Sequence, residues 1–145
     1  MHKLRAVLDT NIMVSVAFPR GELVRELRDL IADEAFTLVT SKEIIKELYR
    51  VLHYPHIQKR FKPSKSDIDE FIGMILDKAV LTQGLYQVKR IKDDPTDNMF
   101  LACALEGKAD YIVSRDPHLR DIKHYQGIQI IDASTFMEKV KRQIG

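Results

Sequence analysis

The run Leu4-Arg5-Ala6-Val7-Leu8, closed by Asp9-Thr10-Asn11, constrains this chain more than any other stretch. A short apolar segment that stops on a polar turn reads as a buried strand. In open α/β sheets, ligands bind in the crevice outside the carboxyl ends of the strands, where an Asp placed directly after an apolar strand points. A plainer reading is that Asp9 only caps the helix that follows, accepting hydrogen bonds from N–H groups of its first turn. The stretch alone leaves both open.

Alternating strand and helix signals follow. Ile12-Met13-Val14-Ser15-Val16-Ala17-Phe18 is apolar enough for a helix packed across the first strand, and Pro19-Arg20-Gly21 turns the chain after it. Over 22–34, Leu23, Leu27, Leu30 and Ile31 recur at helical spacing between charges, which predicts a surface helix. Phe36-Thr37-Leu38-Val39-Thr40 is the next strand. Thr40-Ser41-Lys42-Glu43 fits a capping box, with Thr40 as N-cap and Glu43 reaching back to it. It opens a helix whose apolar face is Ile44, Ile45, Leu48, Val51 and Leu52, with Glu47 at the flank. Glu43 thus has a local task, whereas Glu47 either leans out to solvent or serves a site.

His53-Tyr54-Pro55 ends that helix, and 58–65 is the most basic local run. Ser64 or Ser66 caps a further helix with Ile68, Phe71, Ile72, Ile75, Leu76 and Ala79 on one face. The pair of helices predicts a projecting arm over roughly 53–80, whose basic link beside Phe61 faces phosphates, a partner protein or only solvent. Val80-Leu81-Thr82 is a short strand. Asp94 and Pro95 read as N-cap and first residue of a helix, which puts Asp97 in its first turn, favoured there by the helix dipole. That helix, through Met99 and Leu105 to a stop at Gly107, is apolar on all sides and predicted to be buried. Ala109-Asp110-Tyr111-Ile112-Val113-Ser114 is another strand ending in a polar turn with a carboxylate, Asp116, which precedes Pro117 and is also a candidate cap. Strand 128–131 and an amphipathic helix over 133–142 close the chain.

The expected fold is therefore a three-layer α/β/α sandwich around a central parallel sheet, and 145 residues fit one domain. With 23 Lys+Arg against 21 Asp+Glu, no large basic field advertises nucleic acid. Cys103 is the single cysteine, in an apolar run, and is expected to be a small buried hydrophobe. No signal peptide or membrane-length segment is apparent, so a cytoplasmic location is expected.

Parallel strands place their carboxyl ends on one edge, so Asp9 and Asp116 converge if their strands are neighbours, and Asp97 and Glu47 are within reach of that edge. Two carboxylates about 4 Å apart repel by about 4 kcal/mol at an effective dielectric of 20, so four such groups need a cation. Oxygen ligands select Mg²⁺ or Mn²⁺ over zinc, and His2, His53, His56, His118 and His124 show no zinc-ligand spacing. A hard cation of this kind lowers the pKa of a bound water and neutralises a leaving oxygen, which suits phosphodiester hydrolysis without a side-chain nucleophile.

The motifs Val7-Leu8-Asp9-Thr10-Asn11, Glu47, Asp94-Pro95-Thr96-Asp97-Asn98 and 109–119 together resemble the PIN domain over nearly the whole chain, above all the prokaryotic PIN-family toxins of the VapC kind. The resemblance implies a Mg²⁺- or Mn²⁺-dependent endoribonuclease acting on RNA, often a homodimer, with an antitoxin as inhibitory partner. It further implies Asp9, Glu47, Asp97 and Asp116 as the metal-binding acids, supported through hydrogen bonds by Asn11 and Ser114. Two other readings remain. One is a non-catalytic PIN-like module that binds RNA or protein, although crowded acids repel phosphate. The other is a haloacid dehalogenase-like phosphatase, which needs a second acid two residues after the first, where this chain has Asn11.

Overall fold

In the computed structural model, which describes residues 3–88 and 97–144, six strands form one sheet in the order β3-β2-β1-β4-β6-β5. The strands are β1 (Arg5–Leu8), β2 (Thr37–Thr40), β3 (Val80–Leu81), β4 (Tyr111–Val113), β5 (His124–Tyr125) and β6 (Ile128–Ile131). All pairings are parallel except that of β5 with β6, a short antiparallel edge with no signal in the sequence reading. Alternate residues of each strand serve opposite faces. Ala6, Leu8, Leu38 and Val113 enter one core, whereas Val7, Val39 and Ile112 enter the other.

Helices cover both faces, as expected for three layers. The first core takes α1 (Thr10–Ala17), α2 (Glu22–Ala32), α3 (Lys42–Leu52), α5 (Lys65–Lys78) and α8 (Ala133–Ile144), through residues such as Met13, Ile31, Leu48, Ile75 and Phe136. The second takes α6 (Asn98–Glu106) and α7 (Pro117–Arg120), through Phe100, Leu101, Cys103, Ala104 and Leu119. Cys103 is buried, and desolvation pushes its thiol up to about 12, so it packs as a hydrophobe. No helix among the described residues is long and apolar enough to cross a membrane.

Two local expectations need correction. The N-cap of α3 is Ser41, whose hydroxyl accepts from the Ile44 N–H at 3.2 Å. Moving the cap by one residue puts Ile44 where a capping box needs an acid, so Glu43 has no capping task. The box forms instead at α5, where Ser64 and Asp67 satisfy each other's backbone N–H groups. The stretch 53–80, expected to project, is folded back. Its basic link becomes a further helix, α4 (Pro55–Phe61), with Ile57 buried and Phe61 stacked on Phe18 at 4.5 Å, while Ile68, Phe71 and Ile75 of α5 join the main core. Apolar residues at α4 and α5 outweigh the solvation of the charges between them.

Gly107 ends α6, and its φ of −82° is open to any residue. It is held by close approach rather than by backbone freedom: a Cβ there would run into Val39 Cγ1 of β2. Its carbonyl also accepts from Arg5 Nε at 2.9 Å and Nη2 at 2.7 Å. Because Val39 is fully buried and β-branched, Gly107→Ala should overpack the helix–sheet seam and cost about 1–3 kcal/mol, read as a lower urea midpoint with unchanged slope.

Candidate metal centre

The chain leaves β1 for β2 and β3 on one side, then returns to place β4 on the other side of β1. Adjacent parallel strands whose onward connections diverge leave a crevice at their carboxyl ends. Asp9 follows β1 directly, and Ser114-Arg115-Asp116 follows β4. Asp9 N–H donates to Val113 O at 3.0 Å, which carries the ladder one step beyond the strand. The Ser114 hydroxyl, fully buried, donates to Asp9 Oδ2 in a short hydrogen bond and accepts from the Asp116 N–H at 2.9 Å. Asp9 Oδ1 accepts from the Ile12 N–H at 2.9 Å. Asp9 is therefore both helix cap and site residue, one oxygen for each.

Asp9, Glu47, Asp97 and Asp116 line one cavity of about 280 Å³, together with Thr10, Asn11, Tyr54 and His56. Glu47 comes from α3, and Asp97 stands immediately before α6 with helical backbone angles. The expected cap at Asp94 and Pro95 lies outside the described residues. Asp97, Asp116 and His118 each offer a ligand atom within 4.8 Å of the others. Asp9 and Glu47 face the same cavity from outside that trio. Glu47 is in a short ion pair with Arg50, three residues along α3. Thr10 Oγ1 is buried at this wall and has no hydrogen-bond partner among the described residues.

Desolvation pushes the Asp9 carboxyl above its ordinary value, and the charge of Asp116 adds to this; the hydrogen bonds from Ser114 and from the Ile12 and Arg115 N–H groups oppose it without cancelling it. A buried carboxylate beside like charges suits a cation in the same cavity. The donors are carboxylate oxygens with one imidazole, which fits a hard divalent ion such as Mg²⁺ or Mn²⁺ and departs from the oxygen-only set that the sequence suggests.

Comparison with known families turns on residues 5–118, which match the family description "PIN domain". The chain belongs to the PIN domain family. No curated protein matches it. Among solved structures, this PIN domain is similar to a chain of VapBC2 from Rickettsia felis, crystallised bound to a DNA fragment from their promoter. The TM-score is 0.55 at 14% identity, covering 88% of this chain and 97% of that one, a likeness of fold.

Asp9, Glu47, Asp97 and Asp116 thus all reach one cavity wall of the PIN domain, and Glu43 does not. Asn11 is at the exposed rim, where its main-chain carbonyl accepts from Ser15 Oγ at 3.1 Å; among the described residues, it is the Ser114 side chain that hydrogen-bonds Asp9. Sequence reasoning missed Thr10, Tyr54, His56 and His118. For His118 the signal was present, because an N-capping Asp before Pro sets the residue two positions on beside that Asp: Nδ1 is 3.6 Å from Asp116 Oδ1.

Between the ordinary carboxylate pKa and its raised value in the fold, folded Asp9 keeps a proton that the unfolded chain has released. Stability of metal-free protein should therefore be fully present below that window and fall as pH rises through it. Asp9→Asn keeps a capping oxygen and removes the charge. In chelator, it should flatten this pH dependence and raise the melting temperature at neutral pH, as followed by thermal melts across a pH series.

Proposed function

We propose that this PIN domain is an endoribonuclease that hydrolyses RNA phosphodiester bonds with Mg²⁺ or Mn²⁺, and that it is the toxin of a toxin–antitoxin pair. The observation that carries the reading is that Asp9, Glu47, Asp97 and Asp116, from four separate segments, line one cavity. These four would hold the ion, with His118 beside Asp116 and Asp97. When bound, the ion supplies charge neutralisation, a more acidic water and stabilisation of the leaving oxygen.

The chain's own residues do the positioning. Ser114 holds Asp9 and the turn carrying Asp116 in fixed relation, and its hydroxyl, buried and committed to Asp9, is not a nucleophile for phosphorus. Thr10 Oγ1 is poised as an acceptor for a water or a substrate hydroxyl. Glu47 pairs with Arg50 through Oε2 alone, so the other oxygen would serve the ion while Arg50 holds the side chain in place. Membership of the PIN family, the fold shared with a VapBC2 chain and the VapC-like motifs support an antitoxin protein as inhibitory partner, a homodimer as the working form and the cytoplasm as its place.

The test is a titration of native protein with Mn²⁺ or Mg²⁺ and a mixed single-stranded RNA. The ion should raise the melting temperature, by about 2.7 kcal/mol of linkage at 100 times its dissociation constant. Asp9→Asn should lose that shift, and cleavage should drop by more than about a hundredfold, about 2.7 kcal/mol of barrier. Glu43→Gln should keep cleavage within about twofold. Undiminished metal-dependent cleavage by Asp9→Asn rejects the site, and RNA binding with neither a metal shift nor cleavage makes the chain a non-catalytic PIN module.

A further inference from the structure

A second cleft of about 400 Å³ opens beside the acid cavity and shares Asn11 and His56 with it. Its charge is opposite. Arg20 from the connection between α1 and α2, Arg60 from α4 and Arg115 from the turn after β4 all line it, and all three are exposed. Among the described residues none of them is in an ion pair. They are ordered by neutral partners instead. Arg20 and Arg60 lie over the Phe61 ring, with Cζ 4.7 and 5.0 Å from its centroid, and Phe61 is itself fixed by stacking on Phe18. Arg115 Nη2 donates to Ser15 Oγ at 2.7 Å. A guanidinium held over a ring keeps its in-plane N–H donors free for an anion, and Arg suits bidentate phosphate recognition.

We infer that Arg20, Arg60 and Arg115 form a phosphate-binding rail that holds a single-stranded RNA where it enters the acid cavity. The inference rests on the nuclease reading above for the identity of the strand. Four ionised carboxylates outweigh the one cation paired with them among the described residues, Arg50 on Glu47, and even a divalent ion leaves the group net negative, so a polyanion approaching the cavity alone is repelled. Three guanidiniums on the adjoining wall offset that repulsion without entering the cavity, so they position the strand and do not touch the reacting bond.

The junction of the two clefts argues for a single strand over a duplex. Tyr54, on the acid side, is 37% exposed, and His56, shared by both clefts, is exposed with its ring 6.0 Å from that of Tyr54. Exposed rings beside a basic groove take unstacked bases, which a duplex does not present. Of the basic run over 58–65, only Arg60 with Phe61 faces this cleft.

Binding is measured apart from cleavage, by fluorescence anisotropy of a labelled short single-stranded oligoribonucleotide on Asp9→Asn protein in chelator, across a salt series. Each of Arg20→Gln, Arg60→Gln and Arg115→Gln should weaken binding several-fold and take about 0.7 off the slope of log affinity against log salt. Arg60→Lys should restore the slope, and Lys141→Gln, which removes the same charge beside Glu26, should change neither quantity. In the otherwise native chain the three Gln variants should raise KM and leave kcat in place. Unchanged affinity and slope in all three, an equal loss in Lys141→Gln, or equal binding of a matched duplex overturns the rail; the first of these would leave the cleft to an acidic protein segment. Failure of the nuclease reading shows separately, as native protein that binds the strand through these arginines and does not cut it.

Discussion

One buried hydroxyl ties the candidate site together. Ser114 accepts from the Asp116 N–H within its own turn and donates to the Asp9 carboxylate, so the carboxyl ends of β4 and β1 are joined side chain to side chain at the point where the sheet reverses its order. Asp9 is 3% exposed and carries an unfavourable burial, and the Ser114 and Ile12 hydrogen bonds are what hold it at that position. A buried charge-bearing group without such partners would cost several kcal/mol. The remaining acids reach the same cavity from elements placed by the two cores: Glu47 from α3, whose Ile44 and Leu48 are buried on opposite cores, and Asp97 from the start of the buried α6.

The result is a surface with two adjoining characters. The acid cavity gathers four carboxyl groups, and the neighbouring cleft carries three arginines ordered by Phe61 and Ser15 rather than by carboxylates. Were those arginines paired with acids, the opposite charges of the two clefts would cancel. Their separation depends on α4, which folds the basic stretch back along the body and turns Arg60 toward the cleft.

An Asp after a strand is an ambiguous sign. Asp9, Asp116 and Asp132 all follow strands, and all three accept a helix N–H: those of Ile12, His118 and Thr135. Only Asp9 and Asp116 line the acid cavity; Asp132, after β6, is held low by its Thr135 hydrogen bonds and remains a cap. Capping and site membership are independent, because a carboxylate has two oxygens. Glu47 lines the cavity and Glu43 does not, and capping does not separate them, since Ser41 is the cap and Glu43 lies exposed on the first turn of α3.

The linear order of residues was enough for the strand and helix alternation, the buried α6 and the burial of Cys103, and it marked four acids that the fold brings to one cavity, because hydrophobic periodicity and polar strand ends are local signals. It was not enough for the fold-back of 53–80, the antiparallel β5, the entry of His118 beside Asp97 and Asp116, or the pairing of Arg20, Arg60 and Arg115 on one cleft. Those depend on which elements become neighbours once two apolar faces are covered, and a residue's own surroundings in the chain hold no record of partners a hundred positions away.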